Sequence, residues 1–412
     1  MKYFVNNRVV LSRPPEGPLA SHIVSFAESV SEQGYAVDSV HRQVLLAACF
    51  SRWLKQTGVD ACSIGSDHPA RYLRCRARHV RPSRGDLAAL RHFIDFLRRE
   101  GVIPAEKISA PHLTPAERCA QAYEQYLREV RALARATIVN YLPFIRDFLK
   151  DCFGDGRATL SRLGAGDVVR FVQRQVPRLH LKRAKLMTSA LRSFLRYVRF
   201  RGDITLDLVA AVPIVANWSM TSIPRAIATD QVRQLLASID RHTAIGRRDY
   251  AILLLLARLG LRSSEAALLE LDDLDWNAGR LSVRGKSGRR SELPLSTEVG
   301  KAIAAYLRRG RPESTSRRVF LRAKAPIRGF RGASGVGSIV RHSLQRAGIN
   351  APTRGAHQFR HGLASEMLRQ GASLGEIGEL LGHRHPQTTK IYTKVDLKAL
   401  RTLALPWPGG VR

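Results

Sequence analysis

Tyr392 is the residue whose chemistry organises this chain. It ends the stretch Leu380-Leu381-Gly382-His383-Arg384-His385-Pro386-Gln387-Thr388-Thr389-Lys390-Ile391-Tyr392. A Gly-His step closes one apolar helical segment there, and Pro386 suits the first turn of the next. A tyrosine hydroxyl can act as a nucleophile and hold a covalent intermediate, but a phenol titrates near pH 10 and needs cationic help. Three upstream stretches offer that help. In Leu259-Gly260-Leu261-Arg262-Ser263-Ser264-Glu265 an apolar helix ends at a glycine and a new one starts at a serine pair. Arg262 therefore sits on a sharp turn between apolar neighbours, where Glu265 can orient its guanidinium. In Ala356-His357-Gln358-Phe359-Arg360-His361, His357 and Arg360 are three apart and share a helix face. Lys286 lies in the turn Gly285-Lys286-Ser287-Gly288, from which a long cation can reach outward.

Two arginines, a lysine, two histidines and a tyrosine suit attack on a phosphodiester. The guanidiniums can grip the non-bridging oxygens as negative charge builds. The tyrosine displaces one strand and becomes a phosphotyrosyl ester. Lysine can protonate the leaving hydroxyl, and histidine can accept or position a proton. No carboxylate cluster in the sequence suits magnesium, so we expect no metal and no cofactor, with fixed cations in their place.

These residues resemble the motifs of the tyrosine recombinases, also called phage integrases, which include Xer-type and Cre-type enzymes. Residues 225–400 carry the resemblance. Gly260 to Glu265 match the family's first box, Lys286 its hairpin lysine, His357 to Arg360 its His-x-x-Arg box, and Leu381-Gly382-His383 with Tyr392 its last box and nucleophile. The resemblance implies catalytic roles for Arg262, Lys286, His357, Arg360, His383 and Tyr392, with Glu265 supporting Arg262. It also implies a 3′-phosphotyrosyl intermediate with a free 5′-hydroxyl and a reaction without ATP. It further implies that two active sites fire at a time in a synaptic tetramer that passes through a Holliday junction. Phe359 stands where leucine is commoner, and Gly362 where a small hydroxyl residue is commoner. Arg284, Arg289 and Arg290 are candidates for phosphate contact, and His361 and His385 read as structural or DNA-facing.

The elements that must position this set are mostly helical. Arg247 to Leu259 read as a buried helix and Thr229-Asp230-Gln231 as a helix start. Leu281 and Val283 alternate with polar residues, as do Leu293 and Leu295, which predicts a β-hairpin. Further upstream, the helical stripes come in two similar sets. Ala89 to Ile103 (ALRHFIDFLRREGVI) matches Ala190 to Ile204 (ALRSFLRYVRFRGDI) in register, and His41 to Lys55 resembles Ala136 to Lys150. We therefore expect a mainly α protein with a small β-hairpin or sheet near the C-terminus. Its expected parts are a tail over 1–20, where Pro14, Pro15 and Pro18 break regular structure, and an extra helical domain over 21–110. A helical domain over 114–215, resembling the family's core-binding domain, and a linker over 216–226 follow. An α+β catalytic domain over 227–405 ends in an amphipathic tail helix, Val395 to Leu405.

Composition narrows the partner. Over 412 residues, Lys and Arg outnumber Asp and Glu by 67 to 34, a formal charge of +33 with an isoelectric point near 11.1. Such an excess favours a polyanion by counterion release. Arg71, Arg74, Arg76, Arg78, Arg81 and Arg84 crowd one short stretch of the first helical domain and are candidates for DNA contact. The five cysteines, Cys49, Cys62, Cys75, Cys119 and Cys152, lack zinc spacing and read as reduced thiols. No stretch reads as a signal peptide or membrane span, so we expect a cytoplasmic, nucleoid-associated protein without a membrane partner. The expected partner is double-stranded DNA carrying a specific recombination site, bound by a homo-tetramer or with partner recombinases. The reading is a site-specific recombinase of a mobile element, an integrase or transposase. Its rivals are a type IB topoisomerase, which needs no donated tail, and a catalytically silent DNA-binding protein of the same fold.

Overall fold

A computed structural model describes residues 3–6, 9–104, 113–154, 159–215, 225–285, 290–383 and 385–395. Lys286, Arg289, Arg384, most of the expected linker and the tail beyond residue 395 lie outside the described residues. The chain divides into two compact units. One joins the N-terminal region to the C-terminal domain, and the other is the helical domain that separates them in sequence.

In the first unit, β1 (Tyr3–Asn6) and β2 (Val9–Leu11) form an antiparallel pair, with Tyr3 opposite Leu11. Helices α1 (Ile23–Glu32), α2 (Val37–Gln56), α3 (His68–Arg76) and α4 (Asp86–Arg99) follow. The expected tail is thus part of the domain. Val5, Val9, Leu11 and Leu19 are buried in the same core as Phe26, Phe50 and Phe93. The prolines at 14, 15 and 18 fall after the strands and shape the loop to α1 rather than excluding structure.

The second unit repeats a four-helix order: α5 (Pro115–Glu129), α6 (Arg135–Phe153), α7 (Ala165–Gln175) and α8 (Leu181–Phe200). Thr114 and Glu117 cap α5 reciprocally, the hydroxyl accepting from Glu117 N at 3.2 Å and the carboxylate from Thr114 N at 2.8 Å. The in-register match between the two helical sets carries into packing. Leu90, Phe93, Ile94, Leu97 and Ile103 are buried in α4 and the turn after it. Their counterparts Leu191, Phe194, Leu195, Val198 and Ile204 are buried likewise. Gly101 and Gly202, at matching positions, take φ +71° and +79° to end their helices.

The C-terminal domain is built on α10 (Ala244–Arg258), which follows α9 (Thr229–Ala237). Six successive residues of α10, Ala251 to Leu256, have no exposed surface, as befits a helix apolar on every side. Burying its four leucines contributes on the order of 6–12 kcal/mol as an upper bound. That anchors the end of α10, from which Gly260 and Arg262 project. After α11 (Ser263–Leu268), strands β3 (Leu274–Asp275), β4 (Arg280–Arg284) and β5 (Arg290–Pro294) make an antiparallel sheet in the order β3-β4-β5. Leu281 faces Leu293 and Arg284 faces Arg290 in register, so the expected hairpin forms with a third strand added. The remaining helices are α12 (Thr297–Arg309), α13 (Ala333–Arg346), α14 (His357–Arg369), α15 (Leu374–Leu380) and α16 (Pro386–Thr389), then a 3-10 turn over Lys390–Val395. Gly362 has a packing reason for its departure: a Cβ there would lie 2.9 Å from the backbone oxygen of Ile227. Among the described residues no helix is long and apolar enough to cross a membrane.

Candidate active site

Arg360 ties three of the motif stretches together. It rises from the first turn of α14 and is 5 % exposed. Its Nη1 donates to Gly260 O at 2.7 Å and its Nη2 to Leu381 O. Those carbonyls belong to the turn after α10 and to the C-cap of α15, ends where helix carbonyls lack intrahelical partners. Gly260 is needed where it stands. It takes φ +60°, and a Cβ there would lie 2.8 Å from Leu381 Cδ2 and 3.1 Å from Leu363 Cδ2. Burial, helped by the nearby Arg262 charge, lowers the Arg360 guanidinium to about 10. It still carries its charge at neutral pH.

Arg262 caps the start of α11 and is partly exposed. Glu265, itself buried, accepts from Arg262 Nη1 at 2.6 Å and from Arg262 N at 2.7 Å. The expected orienting carboxylate is therefore in place, and it also fixes the turn. Both arginines line an open cleft of about 1380 Å³ with Glu265, Gly285, Arg290, Gly382, His383, His385 and Thr388. Gly285, just after the end of β4, lines the cleft, and Lys286 lies outside the described residues.

His383 follows Gly382, which takes φ +57°. Its Nδ1 shares a hydrogen bond of 2.8 Å with Thr389 Oγ1, on a buried residue at the end of α16. That leaves Nε2 for the cleft. Burial, then the charges of Arg360 and Arg262, lower His383 to about 4, so the ring is neutral at neutral pH. Ser373 starts α15 with a reciprocal cap to Glu376, which sets the segment that carries this histidine.

Tyr392 lies on the 3-10 turn, one turn past the end of α16, and is 1 % exposed. It packs with Ala364, Ile377 and Leu381 in a small apolar cluster of its own. Its ring lies 6.4 Å from that of His383, nearly parallel at 7°. Burial raises its hydroxyl above the usual phenol value, against the pull of Arg360 and Arg262. Sequence reading missed its hydrogen-bond partner: His361 Nδ1 lies 3.0 Å from Tyr392 Oη. His361 had read as structural or DNA-facing. The one available signal was its place beside Arg360 on α14, because the sequence does not show which histidine faces the returning tyrosine. Burial and the charges of His357 and Arg360 hold His361 below its ordinary value.

His357 opens α14 at an exposed position and is not in the cleft lining. Its ring lies 6.3 Å from that of His361. The hairpin candidates divide. Arg290 lines the cleft, whereas Arg284 pairs with Glu270 at 2.9 Å and Asp273 at 3.6 Å, so its charge is answered within the protein. Of the earlier basic cluster, Arg76 pairs with the buried Asp86 at 3.0 Å and Arg71 lies 3.6 Å from Asp67. Arg74 and Arg78 are exposed. Among the described residues no group of three or more His, Cys, Asp or Glu comes together to hold a metal.

The described part of the arrangement offers two guanidiniums and a neutral imidazole to a phosphoryl group, beside a covered phenol. The profile of the phage integrase family matches residues 225–398, and that of the phage integrase N-terminal SAM-like domain matches residues 120–202. The chain is 63% identical over 410 residues to the "Putative integrase/recombinase y4rA" of Sinorhizobium fredii (strain NBRC 101917 / NGR234), covering 99% of each. It is 32% identical over 306 residues to the tyrosine recombinase XerD of Mycobacterium tuberculosis (strain ATCC 25618 / H37Rv), covering 70% of this chain and 96% of that one. In fold it is similar to the XerH site-specific recombinase in a post-cleavage complex with palindromic difH substrate. The TM-score is 0.56 at 19% identity, over 69% of this chain and 83% of that one.

Proposed function

This chain belongs to the phage integrase family of tyrosine recombinases, DNA strand-transfer enzymes, and from that premise we propose that it joins specific DNA sites through a tyrosyl–DNA intermediate. The observation that carries the reading is the convergence of Arg262, Arg360, His383 and Tyr392, brought from three separate stretches to one cleft and its wall.

In the proposed step, Arg262 and Arg360 hold the non-bridging oxygens of the scissile phosphate. Tyr392 Oη bonds to phosphorus as its proton passes to a base, for which the neutral His383 ring is available, and the P–O5′ bond breaks. The 5′ oxygen takes a proton from an acid, a role the family resemblance gives to Lys286. A 3′-phosphotyrosyl ester and a 5′-hydroxyl result, and attack by a partner strand's 5′-hydroxyl reverses the step. No net bond energy is lost, so ATP is not required. Exchange of both strand pairs passes through a Holliday junction inside a tetramer. His383, neutral and with Nδ1 occupied, presents Nε2 toward the phosphate as a donor or acceptor.

Tyr392 is covered in this form, and its oxygen reaches a phosphate only when the Lys390–Val395 turn shifts. We read His361 as the partner that keeps the buried hydroxyl satisfied until then, since an unpaired buried hydroxyl is costly.

The test is covalent trapping on nicked duplexes cut from the DNA that flanks the gene. The unaltered chain should give an SDS-resistant protein–DNA adduct. Tyr392→Phe should bind the same duplexes and give none. An adduct with Tyr392→Phe would overturn the assignment of the nucleophile. A type IB topoisomerase would relax supercoiled plasmid of any sequence as a monomer, whereas this reading expects adducts only at particular ends.

A further inference from the structure

The N-terminal region and the C-terminal domain meet at Ile327, in the loop between α12 and α13. Ile327 N donates to Gln33 O at 2.9 Å. The Ile327 side chain covers Gly34, where a Cβ would lie 2.5 Å from Ile327 Cγ1. Gly34 takes φ +78° at the end of α1, so both its backbone and its missing side chain admit the contact. Beside this junction opens a second cleft of about 1230 Å³, which shares no lining residue with the candidate active site.

Its walls are cationic. Arg84, Arg91 and Arg99 come from α4 and the loop before it, and Arg328 and Arg331 from the loop that carries Ile327. Arg91 and Arg99 are eight apart on α4 and so lie on one face. Three carboxylates also line the cleft, Glu32, Asp95 and Glu313. Asp95 lies 3.8 Å from Arg98. Among the described residues, no carboxylate lies within ion-pair distance of Arg84, Arg91, Arg328 or Arg331. Elsewhere the protein answers many of its arginines, as with Arg76 and Asp86 or Arg174 and Asp151. Arg328 is crowded further by Arg331 and Arg322, whose charges, after burial, lower its own proton affinity.

Like charges on facing walls oppose the closure that Ile327 makes, unless an anion lies between them. We propose that this second cleft is a binding groove for the phosphate backbone of duplex DNA, formed jointly by the N-terminal region and the C-terminal domain. The inference rests on the DNA-joining function proposed above and adds a binding surface away from the reacting tyrosine. Duplex DNA carries one charge per about 1.7 Å of axis, dense enough to face several guanidiniums at once. Backbone contacts of this kind fix register and add affinity without reading sequence. The groove also gives the N-terminal region a role that the expected cluster at residues 71–84 does not: of that cluster only Arg84 lines the cleft.

The experiment measures binding of the full chain to a fluorescein-labelled 40-base-pair duplex of random sequence by anisotropy, from 50 to 300 mM KCl. The cleft variant is Arg84→Ala/Arg91→Ala/Arg328→Ala/Arg331→Ala. The charge-matched control is Arg13→Ala/Arg42→Ala/Lys301→Ala/Arg308→Ala, at exposed positions outside both clefts. Each DNA phosphate that the protein no longer neutralises should flatten the plot of log K against log salt by about 0.9. The slope of the cleft variant should therefore fall by about 2–4 and that of the control by less than about 1. All eight side chains are exposed, so thermal melts should match the unaltered chain and show that the variants fold. As a second readout, Ala88→Cys carrying an azidophenacyl group should crosslink the duplex beyond the level given by the equally treated unaltered chain, whose Cys62 and Cys75 are exposed, because Ala88 lines the cleft. Equal slopes for the two variants, or no crosslink from Ala88→Cys beyond that level under conditions of full binding, would overturn the groove. No binding of the duplex by the unaltered chain would instead remove the DNA reading beneath it.

Discussion

Gly260→Ala tests whether the turn after α10 is held by close packing or only by backbone conformation. The substitution adds one methyl group at φ +60°, a region that costs an L-residue about 1–2 kcal/mol. That methyl would also lie 2.8 Å from Leu381 Cδ2 and 3.1 Å from Leu363 Cδ2. Relieving such contacts in a packed site costs about 1–3 kcal/mol more. Gly279 supplies the control, because it also takes φ +60° but a Cβ there meets nothing within 4 Å. Gly279→Ala should bear the conformational cost alone. At about 2–4 °C per kcal/mol for a domain of this size, Gly260→Ala should melt roughly 2–12 °C below Gly279→Ala. Activity should separate them more widely. Gly260 O receives Arg360, and Arg262 follows two residues on, so a backbone shift approaching 1 Å displaces both guanidiniums from the phosphate. A displacement of that size can cost about 10²-fold. The assay is the rate of adduct formation on a nicked duplex, with melting of the same samples. Matching melts and matching rates for Gly260→Ala and Gly279→Ala would refute the packing argument.

Three further outcomes follow from the site. Lysine at Arg262 or Arg360 should rescue cleavage poorly, because an ammonium cannot grip two oxygens in one plane. Loss on the scale of an oxyanion donor, about 10²–10³, is expected for alanine at either position, and near-normal single-turnover cleavage by a lysine variant would contradict this. His383 is held at about 4, below its ordinary 6.5, so the folded state resists its protonation. Stability owed to the neutral ring is full above about pH 6.5 and is lost as pH falls toward about 4. His383→Gln should therefore lose less melting temperature than the unaltered chain between pH 7 and pH 4.5, and an equal loss would mean the ring is not buried as described. His361→Leu should orphan the buried Tyr392 hydroxyl, at about 1–3 kcal/mol. Adding Tyr392→Phe removes the orphan, so the double variant should recover part of that loss, and strict additivity of the two substitutions would deny the hydrogen bond.

Local features of this fold were legible because short-range spacing decides them. An apolar run with no polar face must be buried, and Ala251 to Leu256 of α10 are. Alternation at Leu281, Val283, Leu293 and Leu295 set the hairpin, and the in-register match of Ala89 to Ile103 with Ala190 to Ile204 foretold equivalent buried residues. What failed was tertiary. Arg76 and Arg284 counted as free cations until the fold brought Asp86, Glu270 and Asp273 to them. The first 20 residues read as a tail because Pro14, Pro15 and Pro18 are strong local signals, whereas the pairing of β1 with β2 and the burial of Val9 and Leu11 depend on the fold. The contact between Ile327 and Gly34 links residues nearly 300 apart, and no periodicity reports it. His361 was missed because a helix face shows which residues share a side, not which of them a distant turn will meet.

Arg360 shows why the site motifs were readable although the contacts between them were not. Each stretch carries its own local signal: a glycine where a helix must stop, a serine pair where another starts, a Gly-His step where α15 ends. Those signals also mark helix ends, where backbone carbonyls are left without intrahelical partners. One guanidinium takes up two of them, at Gly260 and Leu381, which lie 100 and 21 residues away in sequence. The charge proposed to hold the phosphate thus also closes the fold around it. Arg262 differs, being partly exposed and braced by Glu265 within its own turn. Loss of Arg262 therefore removes a phosphate donor and leaves the stretches joined, whereas loss of Arg360 removes a donor and unties them. Hydrogen exchange at residues 377–383 should rise in Arg360→Ala and stay near the unaltered rate in Arg262→Ala. Equal exchange in the two variants would show that Arg360 does not hold these segments together.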